Sequence, residues 1–258
     1  MNSLLREEIL DELVTLRDEC GAVAIKAEFE AEGTRTEELV MLTDLVRRAG
    51  LNLTLKIGGC EAARDLDQTR IFDAEGVMAP MVETPYAMSK FRKTADKIYE
   101  CDVERVNWII NAETITCYDN LDAILDEGED FLNTVCIGRS DFSGSAGLSD
   151  QINGQKMFEY VKDIAQRSKQ RGLGVTFGGK VMPEAVDFVS EMDPYVDAYE
   201  TRKVTFSSRS DKDSIRTSID HALHFETLYL QLKRAYYKNM AAEDAARLNR
   251  FAADGVQA

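Results

Sequence analysis

The chain has 258 residues, 44% of them hydrophobic, which is enough to bury one large α/β core. Asp and Glu number 46 against 31 Lys and Arg, so the surface repels phosphate backbones and anionic lipid and argues against nucleic-acid and membrane partners. No apolar run approaches the roughly 18 to 20 residues that cross a bilayer, the N-terminus MNSLLREEILDE is acidic rather than a basic signal region, and five scattered cysteines form no C-x-x-C pair, so the expectation is a cytoplasmic protein with reduced thiols.

In chain order, LLREEILDELVTLRDEC closes at Gly21 and reads as a helix with a glycine stop, expected to plug the bottom of a barrel. Seven short apolar runs follow: AVAIKAEFE, LNLTLKI, GVMAPMV, RVNWIIN, NTVCIG, LGVTFGG and VDAYETRKVTF. Helical stretches such as TEELVMLTDLVRRAG and KMFEYVKDIAQRSKQRG separate them, an alternation that means parallel strands with crossover helices. Last comes SIDHALHFETLYLQLKRAYY, a long helix with Leu223, Phe225, Leu228, Tyr229 and Leu232 at helical spacing, expected to pack on the barrel. Without a linker-like stretch or an internal repeat, the expectation is a single domain over residues 1–258.

Register says more than the strands themselves. Side chains alternate across a strand, so Ile25, Ala27 and Phe29 oppose Lys26, Glu28 and Glu30, while Trp108 and Ile110 oppose Asn107, Ile109, Asn111 and Glu113. Val175 and Phe177 likewise oppose Gly174, Thr176 and Gly178. A doubly wound sheet, covered on both faces, would give near-continuous apolar runs. One polar face, with charge gathered at the strand ends, points instead to a TIM (β/α)8-type barrel with a polar mouth. Seven convincing strands leave one barrel strand missing or irregular.

Glu113 ends the strand VNWIINAE and Asp141 follows TVCIG in GRSDFSGSAG, so neighbouring strands would deliver two carboxylates to one mouth. Such a pair suits Mg2+ or Mn2+, which keep positions for water and a chelating substrate; helix capping and ion pairing are the alternatives. The glycines around Asp141 suggest a loop whose amides turn towards an anion.

The segments APMVETPYA (79–87) and IGRSDFSGSAG (137–147), with Glu113 between them, resemble the HpcH/HpaI aldolase and citrate lyase β-subunit family of phosphoenolpyruvate/pyruvate-type barrels, over residues 22–206. The resemblance implies that Glu113 and Asp141 bind the metal, that the turn Gly138-Arg139-Ser140 holds the substrate carboxylate, and that the metal stabilises an enolate. It also implies a homo-oligomer, with a C-terminal helix exchanged between subunits as one arrangement.

The sequence departs from the family where Lys56 stands for the usual arginine and where Glu28-Phe29-Glu30 stands for an acidic residue followed by histidine. His221 and His224 lie far downstream, so no histidine base is expected. Lys56 is expected to act as a point charge, or as a Schiff-base nucleophile, with Lys26 the weaker candidate. Glu28 and Glu30 are candidates for the general base, or simply balance the two lysines. Arg202 is a candidate to reach a substrate anion or to form a structural pair, and Glu83 a candidate to support the metal site from behind or to make a helix N-cap contact.

The function expected is a divalent-metal-dependent carbon–carbon lyase or aldolase, acting on a small 2-oxo acid and an aldehyde. A lysine Schiff-base aldolase, an acyl-CoA lyase (for which no basic patch stands out) and a non-catalytic acid-binding barrel are the alternatives.

Overall fold

The computed structural model describes residues 3–253. The chain runs α1 (Ser3–Asp18), β1 (Ala22–Glu28), α2 (Thr36–Ala49), β2 (Asn52–Lys56), α3 (Ala63–Ile71), β3 (Gly76–Ala79), α4 (Pro85–Tyr99) and β4 (Asn107–Ala112). It continues α5 (Ile115–Asp119), α6 (Leu121–Glu127), β5 (Thr134–Gly138), α7 (Arg139–Ser145), α8 (Gln155–Lys169), β6 (Gly174–Gly178), α9 (Val186–Met192), β7 (Ala198–Glu200), β8 (Val204–Ser207) and α10 (Lys212–Ala253). The eight strands close into a barrel in sequence order, β1 to β7 parallel.

The irregular strand is β8, which lies antiparallel to both β7 and β1. DAYETRKVTF is therefore two strands. The Thr201 amide donates to the Val204 carbonyl at 2.9 Å and the Val204 amide donates to Thr201 Oγ1 at 3.2 Å, which closes a turn of three residues. So short a connection admits only an antiparallel neighbour, because a parallel crossover needs a dozen residues or more.

Reversing β8 returns the chain to the N-terminal end of the barrel. From there α10 climbs the outer wall against α1 and α9, burying Ile215, Ile219, Ala222, Phe225, Leu228, Tyr229 and Leu232. Helix α1 buries Leu5, Ile9, Leu13 and Leu16 while packing on α2 and α10. It thus lies on the flank, which corrects the expected plug. The N-terminal end of the barrel instead opens into a cavity lined by Asn52, Thr54, Asn107, Thr134 and Thr176, with no residue of α1.

The outward faces of the strands are the apolar ones. Ile25, Leu53, Val77, Ile110, Val135, Ile137 and Phe177 are fully buried against the helices, and each such side chain contributes roughly 1.5–3 kcal/mol. Trp108 anchors this layer, with Phe91, Tyr99 and Phe131 at ring-centroid distances of 5.7, 5.0 and 5.0 Å. Inside the barrel sit Lys26, Thr54, Lys56, Asn111, Thr176 and Glu200, beside a small apolar cluster of Met78, Ile109 and Cys136. Among the described residues no helix is long and apolar enough to cross a membrane.

Candidate active site

A cavity of about 660 Å³ opens at the C-terminal ends of the strands, with Lys26, Glu28, Lys56, Glu113, Asp141 and Glu200 in its wall. Glu113 directly follows β4 and keeps the inward parity of Asn111. Its carboxylate is 1% exposed, accepts from the Met81 amide at 3.0 Å and from Asn111 Nδ2 at 2.8 Å, and lies 3.6 Å from Lys56 Nζ. Gly138 makes room for it: a Cβ there would stand 2.8 Å from both Glu113 Cβ and Oε2.

Burial pushes the Glu113 carboxyl above its ordinary pKa. The Lys56 ammonium and the Met81 amide oppose this, Asp141 and Glu30 reinforce it, and the net direction is up. Asp141, in the first turn of α7, is exposed and has no partner among the described residues. Two carboxylates that repel each other, one of them dry and under-compensated, are what a cation would stabilise.

Lys56 Nζ lies 2.7 Å from Glu30 Oε2. Burial lowers its pKa, but Glu113, Glu30 and Glu28 outweigh burial and leave it raised. Lys26 pairs with Glu200 and lies 3.5 Å from Glu28; its pKa too ends raised, against the pull of burial. Both lysines are thereby held as ammonium, a poor state for imine formation. Strand β1 ends at Glu28, so Glu30 reaches Lys56 from the following loop.

GRSDFSGSAG is a short helix rather than the expected loop, with Gly138 at the N-cap position and Ser140 facing the cavity. The Arg139 side chain points elsewhere, which corrects its expected substrate contact. It is fully buried, donates to the carbonyls of Gly178, Gly179 and Ile152 and to Asn153 Oδ1 at 3.1, 2.8, 3.3 and 2.9 Å, and lies 4.3 Å from the Phe188 ring centroid. Burial lowers its pKa to about 9, so it stays protonated at neutral pH and fastens α7 to the loop after β6. Gly179 (φ +85) completes the junction, since a Cβ there would lie 2.5 Å from the Ser140 amide.

Arg202 stands on the rim with its side chain 57% exposed and 3.6 Å from Glu32. Glu83 accepts from Thr114 Oγ1 at 2.6 Å, which props the residue just after Glu113. His221 and His224 bond Glu12 of α1 at 2.7 and 3.1 Å and line no part of the cavity. Asn111, Cys136 and Glu200 were not singled out from sequence as site residues, although inward parity on β4, β5 and β7 was the available signal.

Among the described residues no group of three or more His, Cys, Asp or Glu is arranged to hold a metal. The donor set that does fit a hard cation is smaller: Glu113 and Asp141, beside the buried Asn111 Oδ1, which lacks a hydrogen-bond partner. Six carboxylates line the cavity against four Lys and Arg side chains, so the mouth is net negative and favours a divalent ion.

The barrel has solved counterparts. The HpcH/HpaI aldolase from Desulfitobacterium hafniense DCB-2 superposes with a TM-score of 0.60 at 16% identity, covering 74% of this chain and 81% of that one. The citrate synthase SbnG gives 0.58 at 17% identity over 85% and 89% of the two chains. An HpcH/HpaI aldolase/citrate lyase family protein from Burkholderia cenocepacia J2315 gives 0.58 at 14% identity over 87% and 98%. Identities this low speak for the fold alone. No curated protein matches the chain. The sequence profile of one family does match, over residues 43–185, more than half of the chain and the part that carries Lys56, Glu113, Gly138 and Asp141. The chain belongs to the HpcH/HpaI aldolase/citrate lyase family.

Proposed function

We propose that this chain is a divalent-metal-dependent carbon–carbon lyase or aldolase that acts on a pyruvate-like 2-oxo acid, with an aldehyde as the second partner. The observation that carries the reading is Glu113: a dry carboxylate with raised pKa, facing Asp141 beside a lysine held as ammonium. Family membership and the names of the structural counterparts, aldolases and a citrate synthase, support carbon–carbon chemistry. A Mg2+ or Mn2+ ion held by Glu113 and Asp141 would supply Lewis acidity at the substrate's keto oxygen.

The residues supply the rest. Gly138 and Ser140, where α7 begins, meet the substrate carboxylate. Lys56 places its ammonium beside the oxygen that gains charge. Glu28 and Glu30 are the carboxylates available to take the aldol hydroxyl proton in cleavage and return it in condensation. Arg202, at the rim, meets an anionic group of the incoming partner. Assembly into a homo-oligomer belongs to the same proposal.

The test is solvent deuterium exchange into the methyl group of pyruvate, with and without Mg2+ or Mn2+. Metal-dependent exchange that disappears in Glu113→Gln and in Asp141→Asn is the expected result, and exchange indifferent to chelator would refute the reading. Borohydride with pyruvate is expected to trap nothing, because Lys56 and Lys26 are both held charged.

A further inference from the structure

The interior of the barrel contains a second glutamate–lysine pair, built by the same device as the first. Gly138 of β5 and Gly178 of β6 face each other in register. A Cβ on Gly138 would collide with Glu113, and a Cβ on Gly178 would stand 2.7 Å from Glu200 Cγ and 2.9 Å from its Oε1. Each glycine therefore admits a glutamate from the strand next to it. Glu113 then faces Lys56 of β2, and Glu200 faces Lys26 of β1.

The second pair reaches across β8, because the inward residue there is the small Thr205, register partner of Glu200 and a donor to its Oε2 at 3.5 Å. Cys136 Sγ donates to Glu200 Oε1 at 3.6 Å from the far side. Lys26 itself is 6% exposed and lines the mouth cavity. An ammonium has three donors. Glu200 takes one, Glu28 approaches at 3.5 Å, and the cavity borders the remainder.

A barrel core normally holds branched aliphatic side chains at this depth. Burying an ion pair there is often no more stable than a hydrophobic replacement. Glu200 is therefore poorly explained as a stabilising contact alone, and the lysine facing Glu113 is Lys56, which leaves Lys26 outside that pair.

Resting on the enolate reading above, we infer that Lys26 is a further catalytic residue, a fixed cation on the barrel floor that meets the negative charge developing on the substrate as its enolate forms, and that Glu200 is the residue that positions it. The titratable groups facing Lys26 are Glu28 of its own strand, Glu200 of β7 and the Cys136 thiol of β5, which burial keeps protonated; Lys56 stands on the adjacent strand. With those carboxylates in place the amine carries its proton throughout the neutral range. It therefore acts as a charge, and neither as nucleophile nor as base. Preorganised charge of this kind strengthens in the transition state more than in the ground state.

The test compares binding of pyruvate with binding of oxalate, a planar dianion that mimics enolpyruvate, by calorimetry with saturating Mn2+. Lys26→Met is expected to weaken oxalate about 10²-fold while changing pyruvate affinity only slightly. The double variant Lys26→Met/Glu200→Gln removes both members of the buried pair, keeps the fold testable, and is expected to lose the same selectivity. Lys26→Arg, which restores the charge, is expected to recover part of it. A double variant that folds and still prefers oxalate as wild type does would overturn the role of Lys26 alone. Wild-type protein that binds neither compound would overturn the enolate reading and this inference with it.

Discussion

Glu113 concentrates the chemistry of the mouth in one side chain. Its carboxyl is held above its ordinary pKa, so the fold bears a cost whenever the group is ionised. Glu113→Gln removes that cost and keeps the acceptor for the Met81 amide, while its Nε2 meets Asn111 once that amide turns its oxygen inward. The melting temperature is expected to hold or rise, and pyruvate exchange to fall by about 10²-fold or more. A fall in both would mark Glu113 as a structural ion-pair partner instead. Glu200→Gln should behave in the opposite way. Wild-type Lys26 has a raised pKa, so its pairing contributes in full below the unfolded value of 10.5 and is lost only as pH climbs through the higher folded value. Without Glu200, burial dominates and the folded pKa of Lys26 drops below the unfolded one, so the charged amine is penalised at neutral pH. The variant is expected to lose about 3–5 kcal/mol at pH 7 and to recover part of that loss in urea melts near pH 10. A deficit unchanged between the two pH values would show that Lys26 keeps its proton without Glu200.

At the scale of elements, the junction between α7 and the loop after β6 decides where Ser140 and Asp141 stand, and Arg139 holds that junction through four acceptors. Arg139→Met leaves those acceptors dry and is expected to cost about 2–4 kcal/mol, measured by urea unfolding; Arg139→Lys lacks the planar fork and should recover little. A substrate-contacting arginine would instead raise KM and leave stability unchanged. Sequence could not separate these roles, because a charged residue beside Ser140 and Asp141 has the same spacing whichever way its side chain turns. The strand parities were legible because period-two alternation reports directly on which face meets the helices, as Val175 and Phe177 against Thr176 and Gly178 show. The reversal at β8 was not. Its turn, Thr201-Arg202-Lys203, contains no glycine, proline or asparagine and relies on the Thr201 hydroxyl, so DAYETRKVTF reads as one extended run. Helix α7 was hidden for the converse reason, since the glycines and serines of GRSDFSGSAG favour a loop until Arg139 and the Gly179 contact fix the helix from outside.

For the molecule as a whole, the reversed strand explains the long final helix: α10 starts at the N-terminal end of the barrel and travels up the outer wall, packed against α1 and α9. Among the described residues its buried face ends at Leu232, its last ties are Lys233 to Glu38 at 2.9 Å and Tyr237 to Glu38 at 2.8 Å, and residues 239–250 are exposed. A chain ended at Lys238 is therefore expected to melt within a few degrees of the intact one; a large drop would mean that the exposed half of α10 is packed in solution. The proposed metal site draws on the residue after β4 and on the first turn of α7, in a cavity that α10 also lines through Leu223 and Glu226, and the net-negative mouth is the feature on which the proposed activity depends. Its most direct measurement is Mn2+ binding followed by electron paramagnetic resonance in the wild type, Glu113→Gln and Asp141→Asn. One ion per chain, lost in both variants, is the predicted result. Undiminished Mn2+ binding by both variants would contradict the account.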